Sequence, residues 1–481
     1  MTYMSSQKQI YLGTDIGTQG VRAIAIDEQG TLLASQSIRF NLDGWTTEQD
    51  PEAWWNGVVE TLSALANDLR SHDHIEVVAL TLSSTSGTVI PLDAQHQPLH
   101  PALMYNDTRA DREATELQAI QSDIGINLSW GLPKMGWFLR NQPDSVRALG
   151  LWSHPADFII GRLTGIWGLT DETTALKSGY DPQERAWRPN LLAGMGIEQG
   201  TLPTVVRSGE LVGKIRPNIA ESIGLSPNIQ VTTGMTDGCA SQVASGAARP
   251  GDWNTTIGTT LVIKGVTRNR VEDSQGRIYN HRHPDGYWMP GGASNTGADW
   301  IERDFPGEDL TVLETISRSL IPTGQIAYPL RQRGERFPFV VPSATGFDPA
   351  GVTGPELFAA RMEGVAYLEC LCYDLLEGLG GERVEQVFSA GGANGSETWL
   401  RIRANVLNRP VHRTRHGIGA VGAAVIAASR TGFASLGEAT ACMVEVAFTQ
   451  EPDELQPAYA EGYARFVEAM RARGYLDSNG V

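Results

Sequence analysis

A glycine-rich segment near the start of the chain has the residue types of a phosphate-binding turn. It comprises Gly13-Thr14-Asp15-Ile16-Gly17-Thr18-Gln19-Gly20 and lies between two apolar runs. Glycines let backbone amides approach an anion closely, and threonine hydroxyls add further donors. The carboxylate of Asp15 would repel phosphate, but it can hold the divalent cation that accompanies a phosphate. An aspartate that only bonds to its own turn backbone is the alternative interpretation.

A second turn of the same kind occurs near the middle of the chain. It comprises Thr255-Thr256-Ile257-Gly258-Thr259-Thr260. Each of the two segments predicts a strand, a tight turn of small residues and a second strand. One such hairpin in each half of the chain indicates a duplicated nucleotide-binding fold, with ATP as the nucleotide.

Asp237 is the candidate for acid–base chemistry. It lies in Thr233-Gly234-Met235-Thr236-Asp237-Gly238, between a predicted strand and a helix-like run. Ligands of α/β folds bind at the carboxyl ends of sheet strands, where a carboxylate can act as a general base. An N-cap aspartate at the same junction is an equally good interpretation.

Three further polar or glycine-rich segments can be interpreted either as ligand-binding segments or as ordinary loops and turns. Asn106, Asp107 and Arg109 provide the mixed donors and acceptors that polyol hydroxyls need, or they form a solvated loop. The turn Ser83–Thr88 is either a sugar-facing wall or an ordinary hydroxyl-rich turn. Gly391–Ser396 could form a flat shelf against adenine, or a strand-to-helix turn capped by Ser396. The segment Arg331–Arg336 predicts a solvated loop without chemistry.

Periodicity predicts the elements that carry these residues. Strands are predicted at 10–14, 21–27, 31–38, 76–82 and 384–390, and helices from Pro51, from Pro355 to about Leu379 and over Glu397–Leu407. A small, Pro/Gly-punctuated run at Gly246–Gly251 predicts the boundary between two domains, 1–247 and 248–481.

Composition narrows the class of protein. At 481 residues with 41% hydrophobic and 19% charged residues, the chain is typical of a globular protein with two domains. A formal net charge of -17 argues against nucleic acid as a partner. The four cysteines lack zinc-ligand spacing, and neither a membrane-spanning run nor a signal peptide is present. We therefore expect a cytoplasmic protein without membrane contact; the oligomeric state stays open, a homodimer included.

Taken in order, these segments resemble the FGGY carbohydrate kinases from Tyr11 to about Gly432. The resemblance implies two actin-like ATPase (ribonuclease H-like) α/β domains with a catalytic cleft between them, the first binding sugar and the second ATP. It implies ATP and Mg²⁺ as cofactors and a small sugar as substrate. The implied roles are a catalytic base at Asp237, metal contacts at Asp15 and Asp237, sugar contacts at Asp15, Gly20, Arg22, Ser86, Asn106, Asp107 and Arg109, and ATP contacts at Thr18, Gln19, Gly258, Thr259, Thr260, Gly391, Gly392, Asn394 and Ser396.

Within the family the chain looks most similar to cyanobacterial and plant-type D-ribulose kinases. The segments Thr85–Val89, Ala175–Tyr180, Gly286–Asn295 and Arg333–Pro338 carry this resemblance. Ser86 stands where bacterial xylulose kinases have the histidine of a Gln-Met-His-Gly segment, which favours D-ribulose over D-xylulose. The Asn106–Arg109 segment looks more like the xylulose-kinase version and keeps D-xylulose, or another ketose or polyol, as an alternative.

A non-catalytic actin-like ATP switch is the alternative from another class. Such a protein would need the two phosphate hairpins, but neither Asp237 nor a polar wall for a sugar. The chain has both of these features, which favours the kinase.

Overall fold

The computed structural model describes residues 7–42, 44 and 46–477, which form two compact units. The first unit comprises the described residues of Met1–Ala244 together with His281–Gly286 and His416–Glu445. The second unit comprises Ser245–Asn280, Tyr287–Arg415 and the described residues of Val446–Val481. None of the helices in the described ranges is long and apolar enough to cross a membrane.

The chain up to Ala244 alternates between strands and helices. Its elements are β1 (Lys8–Gly17), β2 (Gly20–Asp27), β3 (Leu32–Arg39), β4 (Glu48–Gln49), α1 (Pro51–Leu69), β5 (Ile75–Ser84), β6 (Ile90–Asp93), β7 (Ala102–Leu103), α2 (Asp111–Ile120), α3 (Gly131–Asn141), α4 (Pro143–Val146), β8 (Leu149–Ser153), α5 (Pro155–Thr164), β9 (Leu169–Asp171), α6 (Glu172–Ala175), β10 (Tyr180–Asp181), β11 (Ala186–Trp187), α7 (Pro189–Met195), β12 (Thr204–Val206), β13 (Leu211–Lys214), α8 (Pro217–Ile223), β14 (Gln230–Thr232), β15 (Met235–Thr236) and α9 (Asp237–Ala244).

The first unit is built on a mixed sheet with the strand order β13-β14-β5-β1-β2-β3, and β15 also pairs with β5. β1 and β2 form the predicted antiparallel hairpin, while β1 and β5 run parallel. The predicted strands are confirmed, and β1 extends beyond its predicted end at Thr14 to Gly17. Ile10, Leu12 and Ile16 are buried along it and anchor the hairpin in the core.

Helix α1 covers one face of this sheet, as the apolar spacing predicts. Asp50 caps its N-terminus by accepting a hydrogen bond from the Glu52 amide (2.9 Å), and Pro51 follows at the first helical position. Trp54, Val58 and Leu62 recur at intervals of four residues and are fully or almost fully buried. The helix therefore closes the core behind β2 and β3.

The remainder of the chain supplies the second sheet and a set of longer helices. Its elements are β16 (Asp252–Ile257), β17 (Leu261–Gly265), β18 (Tyr279–Arg282), β19 (Trp288–Ser294), α10 (Asp299–Asp304), α11 (Leu310–Leu320), α12 (Gly354–Gly378), β20 (Gln386–Ala390), α13 (Glu397–Leu407), β21 (Val411–Thr414), α14 (Gly419–Thr431), α15 (Leu436–Met443), β22 (Val446–Gln450) and α16 (Gln456–Ala472).

The second unit repeats the architecture of the first. Its sheet contains the strand path β19-β17-β16-β20-β21-β22, in which β16 and β17 form an antiparallel hairpin and β16 runs parallel to β20. The long helix α12 is buried over most of its length and packs into the core of the unit. Two α/β units with mixed sheets confirm the predicted fold class.

The two compact units are not the two continuous domains, 1–247 and 248–481, that the sequence predicts, because each unit contains more than one segment of the chain. The first change of unit falls between Ala244 and Ser245, next to the predicted boundary, but α14 and α15 pack with the first unit. Small residues allow this packing: a Cβ added to Gly13 of β1 would lie 1.9 Å from the Ala420 carbonyl oxygen of α14. A Cβ on Gly422 would lie equally close to the Ala240 carbonyl oxygen of α9. This contact joins segments distant in sequence, so local periodicity could not predict it.

We expect Gly13→Ala to destabilise the first unit, because its methyl group would overlap the backbone of α14. The free energy of unfolding should fall by about 1–3 kcal/mol or more, the usual range for overpacking. Gly200→Ala is the matched control, since nothing lies within 4 Å of its added Cβ. Denaturant unfolding measures both variants. Equal stabilities for the two would contradict the close approach of α14 to β1.

Candidate active site

Two carboxylates lie at the same end of the first sheet, one on β1 and one directly after β15, the two strands that flank β5. In the register of the sheet, Asp15 of β1 pairs with Ser83 of β5, and Ser83 pairs on its other side with Met235 of β15. Asp237 begins α9 directly after β15. Because neighbouring strands are about 4.8 Å apart, Asp15 and the end of β15 are separated by two strand spacings, or about 10 Å.

Asp15 carries its charge at an energetic cost. Burial raises the pKa of its carboxyl group to about 6, and the nearby charge of Asp237 adds to this effect. The Ser83 hydroxyl donates a hydrogen bond to Asp15 Oδ1 (2.6 Å), which lowers the pKa of Asp15. Arg22, the partner of Asp15 in the β1–β2 register, lowers the pKa by the smallest amount. The site therefore has an excess of negative charge.

This charge excess fits a bound cation. A divalent ion near Asp15 would neutralise both carboxylates and offset the desolvation of Asp15. No cluster of three or more His, Cys, Asp or Glu that could hold a metal occurs among residues 7–42, 44 and 46–477. Mg²⁺ suits such a sparse protein site, because it commonly keeps several waters and takes further oxygen ligands from phosphates.

Asp237 stands at the junction of strand and helix that the sequence predicted. Its Oδ1 accepts a hydrogen bond from the amide of Gly238 (2.7 Å), within the first turn of α9. The carboxylate therefore makes a local backbone contact at the start of the helix and also acts on Asp15 electrostatically. The role of Asp237 as a base stays a prediction.

The loop of the first hairpin is held by its backbone. The Thr18 carbonyl accepts from the side-chain amide of Gln49 (2.8 Å), and the Gln19 carbonyl accepts from the amide of Phe40 (2.9 Å). Gly20 has no room for a side chain, since its added Cβ would lie 2.0 Å from the Ile38 carbonyl oxygen. The carbonyls of Thr18 and Gln19 are thus occupied by hydrogen bonds within the first unit.

Short contacts join two of the predicted sugar-binding segments. The hydroxyls of Thr85 and Thr88 lie 3.0 Å apart, and the amide of Tyr105 donates to Thr88 Oγ1 (3.2 Å). This bond brings the segment with Asn106 beside the turn that contains Ser86. Ser86 Oγ is buried without a hydrogen-bond partner among the described residues. It is a hydroxyl that a polar ligand could satisfy.

Asp107 and Arg109 bind one another. The Arg109 guanidinium lies 2.7 Å from Asp107 Oδ2, forms an ion pair with Glu48, and stacks over the ring of Trp137 at 4.8 Å. Burial lowers the pKa of Arg109, but the carboxylates of Asp107 and Glu48 outweigh burial and raise it. These two predicted sugar-binding side chains are therefore largely occupied by each other, whereas Asn106 is exposed.

In the second unit, the two segments predicted to bind ATP share one edge of the sheet. The turn Gly258–Thr260 follows β16, Gly391 follows β20, and Thr256 of β16 pairs with Ala390 of β20. A Cβ on Gly391 would lie 2.4 Å from the Ile257 carbonyl oxygen, and its φ of +84° favours glycine. The glycine is therefore required where the chain passes the hairpin.

The residues after Gly391 form a short helical turn and the N-terminal cap of α13. Gly392–Gly395 form a 3₁₀ turn, and Ser396 caps α13 by accepting from the Trp399 amide (3.0 Å). This confirms the capping interpretation of Ser396, although its hydroxyl hydrogen is still able to donate. Asn394 Oδ1 is buried without a hydrogen-bond partner in the described part of the chain. Gly392 has open space beside it.

A buried carboxylate lies behind the second hairpin, where the sequence pattern does not predict one. Glu335, predicted to lie in a solvated loop, is 2% exposed, so that prediction is wrong. It accepts hydrogen bonds from Ser294 Oγ (2.8 Å), Thr296 Oγ1 (2.9 Å), Tyr328 OH (2.8 Å) and the amide of Asn295 (2.7 Å). Its donors come from strand and loop segments up to 41 residues away in sequence. The neighbouring residues alone are highly charged, so they predicted an exposed loop and could not indicate these donors.

This carboxylate supports the turn Gly258–Thr260 through the segment after β19. The Leu261 amide donates to the Thr296 carbonyl (3.0 Å), and the Ala298 amide donates to the Gly258 carbonyl (2.7 Å). A Cβ on Gly297 would lie 2.5 Å from the Thr259 carbonyl oxygen. Glu335 thus fixes the backbone against which the hairpin packs.

Comparison with known proteins identifies the relatives of this chain. A family model described as "FGGY family of carbohydrate kinases, N-terminal domain" matches residues 10–244, and the corresponding C-terminal domain matches 253–430. Xylulose kinase from Staphylococcus xylosus is 24% identical over 87% of this chain and 90% of its own length, and xylulose kinase from Bacillus subtilis is 26% identical over 89% of each chain. The crystal structure of a xyloylose kinase from Brucella ovis has a TM-score of 0.85 and 26% identity, covering 97% of this chain and 100% of the other.

We expect Asp15→Asn to stabilise the metal-free protein at pH 8. Because the folded pKa of about 6 lies above the unfolded value of 3.8, the contribution of Asp15 to stability is full at low pH and lost as the pH rises through about 6. Removing the charge should add about 1–3 kcal/mol to the free energy of unfolding at pH 8, after allowance for solvent screening. This gain should shrink toward pH 4.

Denaturant unfolding in the presence of a chelator measures the gain at each pH. Asp144→Asn, at an exposed position of the same unit, is the matched control and should leave stability unchanged at both pH values. A variant Asp15→Asn that is less stable than the parent at pH 8 would contradict the cost of this buried charge.

Proposed function

The chain belongs to the FGGY family of carbohydrate kinases, ATP-dependent sugar phosphotransferases that use Mg²⁺, and from this premise we propose that its substrate is a pentulose, preferably D-ribulose. The terminal hydroxyl would receive the γ-phosphoryl group of ATP, giving D-ribulose 5-phosphate. The buried, unpartnered hydroxyl of Ser86 is the observation that carries the preference for this sugar.

We assign sugar binding to the domain 1–247 and ATP binding to the domain 248–481. The hydroxyl-rich turn at Ser86 and the exposed Asn106 support the first assignment. The hairpin Gly258–Thr260 and the turn at Gly391, which share a sheet edge, support the second. The net charge of -17 supports a reaction confined to small molecules, with nucleic acid outside its partners.

Asp237 is the proposed general base. Its carboxylate would accept the proton of the attacking sugar hydroxyl. The effect of the Asp237 charge on the pKa of Asp15 supports a shared location for the two groups. Phosphoryl transfer requires mainly positioning and charge neutralisation, so one well-placed base suffices.

Asp15 is the proposed residue for Mg²⁺, and Asp237 is proposed as a second metal contact. The ion would neutralise phosphate charge during transfer. Asp15 at the end of β1 would hold it, and the Ser83 hydroxyl fixes the carboxylate by donating a hydrogen bond at 2.6 Å. Arg22, beside Asp15 in the register of β1 and β2, gives the sugar end of the site a cationic group.

The phosphates would meet backbone amides and hydroxyls of the two hairpins. Thr18 and Gln19 in the first hairpin, and Gly258, Thr259 and Thr260 in the second, supply such donors where negative charge develops. Gly391, Gly392, Asn394 and Ser396 are proposed for the adenosine, supported by the space beside Gly392 and the unpartnered Asn394 Oδ1.

D-ribulose and D-xylulose differ only in configuration at C3, so discrimination depends on which hydroxyl finds a partner. A site that bonds one hydroxyl leaves a buried polar group unpaired when that hydroxyl points elsewhere. Ser86 has a short hydroxylic side chain that needs such a partner. It stands where the resemblance places a histidine in bacterial xylulose kinases, so the pocket offers more space and a different donor.

D-xylulose is the second candidate. The relatives from Staphylococcus xylosus and Bacillus subtilis, each matched over more than four fifths of this chain, are named xylulose kinases. The segment Asn106–Arg109 looks more like the xylulose-kinase version of the sugar contact. This observation favours the same reaction on the C3 epimer and leaves the proposed base and metal residues unchanged.

We expect Asp237→Asn to lower turnover by roughly 10²–10⁴-fold, the usual scale for loss of a general base. Nucleotide binding should be nearly unchanged, because the phosphates are proposed to bind elsewhere. A coupled assay with added pentulose measures turnover, and equilibrium binding of an ATP analogue is the accompanying readout. Asp144→Asn is the control. Normal turnover in a folded Asp237→Asn variant would exclude this residue as the base.

We expect kcat/KM to be higher for D-ribulose than for D-xylulose when both are measured with the same enzyme preparation. Ser86→Ala should lower kcat/KM for D-ribulose by about 2–10-fold, the scale of one neutral hydrogen bond, and lower it less for D-xylulose. Ser71→Ala, at an exposed position of the first unit, is the control. A preference for D-xylulose would refute the choice of sugar and leave the kinase assignment intact.

A further inference from the structure

The backbone just before Asp237 is held by a side chain from a distant part of the first unit. The amide of Thr236 donates a hydrogen bond to Thr173 Oγ1 at 3.0 Å, across 63 residues of sequence. Both threonines are almost completely buried. In this buried setting the bond is protected from competition by water, so it can define the position of the backbone.

The hydroxyl hydrogen of Thr173 is taken up by a third residue. Thr173 Oγ1 lies 2.6 Å from Asp171 Oδ1, and a carboxylate accepts hydrogen bonds. The Thr173 hydroxyl hydrogen is therefore committed to Asp171, and its lone pairs are aimed at other donors. The amide of Thr236 is such a donor. The three groups form one chain from carboxylate to hydroxyl to backbone amide.

Asp171 is itself firmly anchored. It caps α6 by accepting from the amides of Thr173 (2.8 Å) and Thr174 (3.2 Å), and it also accepts from Ser208 Oγ (3.0 Å) and from the Thr174 hydroxyl. Burial raises the pKa of its carboxyl group, which these donors counteract. An acceptor with this many partners has little freedom to move.

The opposite side of the same segment is bound to the central strand. Met235 and Thr236 pair with Ser83 and Ser84 of β5. Gly234 permits this approach, because its added Cβ would lie 1.7 Å from the Leu82 carbonyl oxygen. The segment before Asp237 is therefore held between β5 and Thr173.

We propose that Thr173, anchored by Asp171, is a positioning residue that sets the place of the Asp237 carboxylate through the amide of Thr236. Without the Thr173 hydroxyl the end of β15 loses this hydrogen bond to α6 while its pairing with β5 remains, and the start of α9 gains freedom. A general base must lie within hydrogen-bond reach of the proton that it accepts, so a small displacement reduces the chemical step. This inference rests on the proposed role of Asp237.

The test compares two threonines that bind the same carboxylate. Thr173→Val removes the hydroxyl that accepts from Thr236, whereas the matched control Thr174→Val removes a hydroxyl that donates to Asp171 and has no bond to Thr236. We expect Thr173→Val to lower kcat about 10–100-fold more than the control, with similar sugar KM and similar thermal stability. Thr173→Ser should restore most of kcat.

A second readout separates positioning from a change in the acidity of the base. The height of the kcat–pH profile should fall in Thr173→Val while its acidic midpoint stays unchanged. Equal kcat in Thr173→Val and Thr174→Val, or a loss of kcat that Thr173→Ser does not restore, would overturn the proposal. If Thr173→Val does not fold, Thr173→Ala takes its place with the same outcomes.

Asp237→Asn, assayed in parallel, distinguishes failure of the proposed base from failure of the proposed positioning role. If Asp237→Asn keeps its turnover, the proposed base is wrong, and the positioning role falls with it. If Asp237→Asn is inactive and Thr173→Val behaves like its control, only the positioning role is refuted.

Discussion

The structure depends above all on holding two negatively charged side chains at the same end of the strands of the first sheet. Asp15 and Asp237 flank β5, and the burial of Asp15 together with the charge of Asp237 raises the pKa of Asp15 to about 6. Without a cation this arrangement lowers the free energy of unfolding. Buried charges with raised pKa values of this kind are typical of sites that bind a ligand. The surrounding contacts hold the carboxylates against their mutual repulsion: Ser83 binds Asp15, and the pairing of β15 with β5 fixes the approach to Asp237.

The same end of the sheet depends on glycines that let backbones approach closely. Gly13 admits α14 to the face of β1, and Gly419 at the start of that helix lies so near Asp15 that an added Cβ would be 3.2 Å from its carboxyl group. Helix N-termini favour nearby negative charge, so α14 contributes to the environment of Asp15. A helix from late in the chain thus completes a site that begins at residue 15, which explains why the first unit contains His416–Glu445.

Much of this organisation could be predicted from the sequence, because it is local. The two Thr/Gly hairpins, α1 with its Asp50 cap, and the cap at Ser396 follow from short-range patterns. The membership of α14 in the first unit, the burial of Glu335 and the bond between Thr173 and Thr236 could not be predicted in this way. Each depends on partners tens to hundreds of residues away. The ion pairs of Arg109 with Asp107 and Glu48 could not be predicted either, because composition alone does not show whether polar residues bind each other or a ligand.

The most direct test of this account is a titration of the Asp15 carboxyl group by carbon NMR in metal-free protein, with and without Asp237→Asn. We expect a pKa of about 6 for Asp15 in the parent protein. In Asp237→Asn we expect a lower pKa for Asp15 that is still above the ordinary range, because burial persists. An Asp15 pKa near its ordinary value of about 4 in both proteins would contradict the electrostatic coupling on which the site depends.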